Sequence, residues 1–180
     1  MESILAMPTN AFLSKPYTLV ILGNLLIAIE LLVFMYIYVI KQRLVTFKKK
    51  FMETNGFNKL HKEAFSQNAP DLGYPDTGSG RYSKKLPYKE WYAFNCSQRV
   101  YMNYIEGFAL VVVASLLAGI AYPLITFGLQ LLYVVGRFIY SQGYMKGADY
   151  RITGAVLYQV SLLALLGFGV KSALTLTHNS

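Results

Sequence analysis

The stretch Gly107-FALVVVASLLAGIAYPLITFGLQLLYVV-Gly136 decides the fold, because it runs for 30 residues without a charge. As one helix it would extend about 45 Å at about 1.5 Å per residue, overshooting a hydrocarbon core of about 30 Å. Pro123 lies in its middle, and a proline biases the residue before it, here Tyr122, out of the helical region. The run therefore reads as two membrane-crossing helices joined by a tight turn at Tyr122–Pro123. The first covers 91–122 and the second 124–144.

Outward from this pair, Tyr17 to Ile40 gives 24 residues in which Asn24 and Glu30 are the only strongly polar members. That is long enough to cross a bilayer with some tilt. A secretory signal would show a basic start and a shorter apolar region of about 7–15 residues. The chain opens instead on Met1-Glu2-Ser3, so this segment is expected to stay as a span over 17–40. On the other side, Ile152 to Val170 is uncharged, and Lys171 can reach the interface from its end. A last helix is expected over 152–175. The fold class that follows is all-α: a single integral-membrane four-helix bundle of up-down topology.

Composition agrees. Charged residues make up 14% of the chain and mean hydropathy is +0.37, whereas soluble domains carry about a quarter charged residues. The net charge of +8 is unevenly placed, with twelve of the 17 Lys and Arg between Lys41 and Arg99. Spans flank that segment, so it reads as a basic, cytoplasm-facing connection over 41–90 and not as a nucleic-acid surface. The turn at 145–151 then lies on the same membrane face. Within the connection, Phe57 to Phe65 suits a short surface helix, and Asn68 to Gly80, rich in Pro, Gly, Asp and Ser, reads as loop. One cysteine, Cys96, and two distant histidines, His61 and His178, offer no disulfide, no metal site and no catalytic triad.

Two sets of polar residues repeat at helical spacing beside apolar runs. Arg99, Asn103 and Glu106 stand at i, i+4 and i+7; Arg137, Tyr140 and Tyr144 stand at i, i+3 and i+7, with Arg151 after the short turn. Ionisable groups at membrane depth cost a few kcal/mol each and tend to face inward, to pair, or to mark a site. Glu106 and Arg137 could simply tie two helices together, and Glu30 could pair with Arg137 or lie at a subunit boundary. Arginines that grip carboxylates, with Tyr and Asn donors and a carboxylate for an ammonium, would also suit a small zwitterionic peptide. If the peptide carried a thiol, an arginine beside the sulfur would favour the reactive thiolate.

The run Phe94-Asn95-Cys96-Ser97-Gln98-Arg99, with Asn103 and Glu106, resembles one signature of the membrane-associated proteins in eicosanoid and glutathione metabolism. Gly136-Arg137-Phe138-Ile139-Tyr140-Ser141-Gln142-Gly143-Tyr144, followed by Arg151, resembles the family's second signature, and Lys41-Gln42-Arg43 its basic helix end. The likeness leans toward the microsomal transferase branch. It implies a homotrimer that takes glutathione as co-substrate, without a metal, between neighbouring subunits. Arg43, Arg99, Asn103, Glu106, Arg137, Tyr140 and Tyr144 would bind glutathione, and Arg151 would stabilise its thiolate. The activity implied is a glutathione S-transferase or lipid-hydroperoxide peroxidase acting on hydrophobic substrates from the lipid, in the endoplasmic reticulum or a mitochondrial membrane. The chain departs from the pattern at Gly107, where a relative has tyrosine, and in a longer basic loop. Those departures motivate the alternative of a non-enzymatic scaffold or accessory subunit of a larger membrane complex.

Overall fold

A computed structural model describes residues 16–178. Met1-Glu2-Ser3, on which the reading of a secretory signal partly rests, lies outside the described residues. The described chain is helical, with no strand. Four helices are long and apolar enough to cross a membrane: Tyr17–Thr46, Tyr88–Ala121, Pro123–Lys146 and Ala148–Thr175.

The first crossing is built from α1 (Tyr17–Phe34), a π-helical turn (Met35–Ile40) and α2 (Lys41–Thr46). Its buried positions step by three, four or seven through Val20, Gly23, Ile27, Phe34 and Tyr38, and then by five to Arg43. Seven is two helical turns. A five-residue step is what a π turn adds, and such turns often occur at functional sites. Without it Gln42, and not Arg43, would follow Tyr38 on the inward face. The Ser97 hydroxyl donates to the Tyr38 carbonyl oxygen inside this widened turn.

The basic connection carries α3 (Lys49–Thr54) and α4 (Phe57–Phe65), the latter where the sequence suggested a short helix. Helix α5 (Tyr88–Ala121) follows, and α6 (Pro123–Lys146) starts on Pro123, whose fixed φ and missing N–H suit a first helical position. Tyr122 alone separates them, at φ −128° and ψ 53°. A 3₁₀ turn (Ala148–Arg151) leads to α7 (Ile152–His178).

Side-chain pairings fix the topology. Tyr17 bonds Leu116 and Tyr104 bonds Ile27, so α1 and α5 are antiparallel. Gln130 reaches the Val20 carbonyl and Gln142 the Tyr38 hydroxyl, so α1 and α6 run parallel. Helices α5 and α6 are antiparallel through Tyr104–Tyr133 and the Arg137–Val100 bond. Up-down order brings the 47–87 connection and the 147–151 turn to one end of the bundle, the basic end.

Helices α6 and α7 approach backbone to backbone across glycines. A Cβ on Gly136 would sit 2.6 Å from the Tyr158 nitrogen, and one on Gly154 would fall on the Tyr140 backbone. Gly154→Ala is therefore expected to force α7 off α6, costing about 1–3 kcal/mol as overpacking does. A lower thermal unfolding midpoint in detergent would register this. Gly167→Ala, where an added carbon meets nothing within 4 Å, sets the baseline.

Candidate functional site

Arg99, Asn103 and Glu106 share the outward face of α5, alongside Met102 and Ile105. Arg99 Nη1 lies 3.7 Å from Glu106 Oε1, and the two side chains are 51% and 56% exposed. Glu106 thus pairs along its own helix with Arg99 and not with Arg137. The helix is one of the four membrane-length ones, so a single chain would present this ion pair to lipid. Charged groups in that position are costly unless another polar surface covers them.

The second cluster gathers at the basic end of α6. Tyr140 and Tyr144 meet edge to face at 5.5 Å, and the Arg151 guanidinium lies over the Tyr144 ring at 5.2 Å. Arg151 Nη1 also donates to the Ala148 carbonyl, which holds the guanidinium back against the turn. The Ala148 N–H in turn donates to the Tyr92 hydroxyl at 3.2 Å, latching this turn to the start of α5. Among the described residues no hydrogen bond, ion pair or ring contact joins the Arg99 set to the Tyr144–Arg151 set. One chain brings together the members of each set, but not the two sets.

Two arginines go elsewhere. Arg137, only 1% exposed, is enclosed by the rings of Tyr104, Tyr158 and Tyr140 at 4.3, 4.6 and 4.9 Å. Its Nη2 donates to the Val100 carbonyl at 3.3 Å. Glu30, on α1, accepts from the Tyr104 hydroxyl at 2.6 Å instead of forming an ion pair with Arg137. Aromatic faces, attractive to a cation, line the surroundings of this guanidinium. Arg43, 4% exposed, lies under the basic connection: its Nη1 donates to the Gly73 carbonyl and its guanidinium faces Tyr74 at 4.6 Å. Neither side chain offers a free face in this chain.

The 68–80 segment is loop, as expected, within a connection that folds into a cap. Phe47 and Phe94 meet at 4.9 Å, Phe57 and Tyr82 at 4.5 Å, and Met52 is wholly buried among them. Asp76 accepts from the N–H groups of Gly78, Gly80 and Ser83 and from the Ser83 hydroxyl. Burial pushes the Asp76 carboxyl up, but these four bonds together outweigh it and hold the group below the usual carboxylate range. The Gly78 carbonyl accepts from Trp91 Nε1 and Asn95 Nδ2, fastening the cap to α5.

A family model, the MAPEG family, matches residues 21–171, which takes in the cap and both polar clusters. The chain belongs to the MAPEG family. MAPEG proteins are membrane bundles and include glutathione-dependent transferases and peroxidases. Several residues that hold the clusters in place escaped the sequence reading: Tyr104 and Tyr158 around Arg137, Tyr92 at the 147–151 turn, and Asp76 in the cap. Only Asp76 carried a local signal, the spacing Asp76-x-Gly78-x-Gly80 that suits a carboxylate bonding the backbone just ahead of it.

Proposed function

We propose that this MAPEG chain is a membrane glutathione S-transferase or glutathione-dependent peroxidase, assembled so that a second copy covers the Arg99–Glu106 face. The carrying observation is that pair, about half exposed on a helix of membrane-spanning length. In a trimer, the α5 face of one subunit would meet the Tyr144–Arg151 end of its neighbour. Arg99 then takes a glutathione carboxylate, Glu106 the ammonium, and Asn103, Tyr140 and Tyr144 donate to the peptide. Arg151 releases the Ala148 carbonyl and turns to the sulfur. Arg137 and Arg43 act from behind, the first ordering Tyr140 and the second seating the cap.

The two reactions share an activated thiolate. In transfer, sulfur forms a bond to an electrophilic carbon and the leaving group departs with its electron pair. In peroxide reduction, sulfur attacks the distal oxygen, the O–O bond breaks, and the lipid leaves as an alkoxide that takes up a proton. A second glutathione then converts the sulfenic form to disulfide and water.

The test is turnover by the purified chain in detergent, with a generic electrophile and with a fatty-acid hydroperoxide. Glutathione-dependent turnover of either supports the reading; none across a broad panel sinks it in favour of a scaffold. Arg99→Ala should raise the glutathione KM by on the order of tenfold or more, for loss of one charge-assisted carboxylate contact of about 1.5–3 kcal/mol. Saturating glutathione should restore kcat, because the interaction is made in the ground state as well.

A further inference from the structure

At the basic end, a groove of about 760 Å³ opens between α2, α3 and the start of α5. Lys48, Lys50, Lys85 and Lys89 line it, opposed by one carboxylate, Glu90. None of these five side chains forms an ion pair among the described residues, where Arg99–Glu106 is the one pair present. Val45, Phe51, Pro87 and Ala93 supply the apolar wall. Tyr88 and Tyr92, both exposed, stand on the first turns of α5 beside the groove, as aromatic residues do where a membrane helix leaves the hydrocarbon.

We propose that this groove binds the phosphate headgroup of an anionic membrane lipid, one per subunit, with the acyl chains lying against the apolar wall. Two features select a lipid over a soluble anion. The groove begins at the last turn of a membrane-crossing helix, α2, and the first turns of another, α5, so its floor stands at headgroup height. One wall of the groove is also apolar, which a free phosphate could not use. The charge fits as well: four ammonium groups against one carboxylate leave the groove cationic, and lysines near an anionic leaflet each add to binding. The polar glutathione set described above uses none of these residues, so the groove stands apart from the proposed activity.

The experiment titrates the full-length protein in detergent with dioleoylphosphatidic acid, followed by native mass spectrometry. Dioleoylphosphatidylcholine and inorganic phosphate serve as the other arms. One phosphatidic acid per subunit is expected at concentrations where phosphatidylcholine does not bind, with no displacement by millimolar inorganic phosphate. Lys48→Gln with Lys85→Gln should weaken phosphatidic acid binding by roughly 25-fold, about fivefold for each lysine removed. Lys59→Gln with Lys62→Gln, on α4 and outside the groove, should leave it unchanged. All four lysines are exposed, and the double arginine variant Lys48→Arg with Lys85→Arg keeps the charge and should bind as the natural chain does. Equal binding of both lipids, displacement by inorganic phosphate, or equal affinity in the two glutamine pairs would overturn the proposal.

Discussion

Arg151→Ala is expected to lower glutathione-dependent turnover at neutral pH by at least about tenfold while leaving a folded oligomer that still binds glutathione. The side chain donates to the Ala148 carbonyl in the short turn and lies over the Tyr144 ring at the end of α6, and neither contact involves Gly136 or Gly154. Its removal therefore leaves the α6–α7 packing at Gly136 and Gly154 in place. A free thiol ionises with a pKa of about 8.5, and a neighbouring cation lowers that by one to several units. Losing the cation returns the sulfur toward its free value, so the thiolate fraction at pH 7 falls with it. Raising the pH should partly restore the rate, because solvent then removes the proton that the arginine had made easier to lose. The thiolate absorbance of the complex should vanish at pH 7 in this variant, whereas in Arg99→Ala it should return at saturating glutathione. Turnover like that of the natural chain at neutral pH would sink the assignment of Arg151.

The bundle was legible because its signals are long and one-dimensional. Thirty uncharged residues interrupted by Pro123 overshoot a single crossing, which favoured two, and α5 and α6 part at Tyr122. The polar clusters were legible as positions on helix faces, since i, i+4 and i+7 fix a face whatever lies opposite. What each face meets was not legible, because that depends on the register between helices. Glu30 shows the difficulty: α1 carries it past both Tyr104 and Arg137, and the tyrosine hydroxyl takes the bond. Arg43 shows a second one. Its inward direction depends on a π turn over Met35–Ile40, and nothing in the apolar run Met35 to Ile40 marks where a helix will widen. The loop over 68–80 was legible because Pro, Gly and Asp mark it. The packing of the cap around it was not, because it comes from Phe47, Phe51, Phe57 and Tyr82, scattered among lysines at no helical or strand period.

The cap's dependence on Asp76 gives the second large effect. Its carboxylate, 5% exposed, is the common acceptor for three backbone N–H groups and one hydroxyl, so Asp76→Ala leaves those donors without a partner in a place with little room for water. An unmet buried donor costs about 1–3 kcal/mol, and the donors share one loop that relaxes together, so a local loss on the order of 3 kcal/mol is expected. Amide exchange at Gly78, Gly80 and Ser83 should then accelerate roughly a hundredfold, while exchange in α5 and α6 stays as it was. The effect has a pH signature. Because the folded carboxyl titrates below its ordinary value, its stabilisation is complete above the unfolded pKa of about 3.9 and is lost as pH falls through the lower folded value. The natural cap should therefore loosen only under strong acid, and Asp76→Asn, which keeps one acceptor oxygen but no charge, should be loosened at neutral pH and insensitive to acid. Gly73 and Tyr74 belong to the same loop, so a loosened cap also uncovers Arg43, and cleavage by trypsin at Arg81 and Lys84 should quicken together with exchange. Equal exchange at Gly78, Gly80 and Ser83 in the natural chain and in Asp76→Ala would show that the aromatic cluster alone holds the cap.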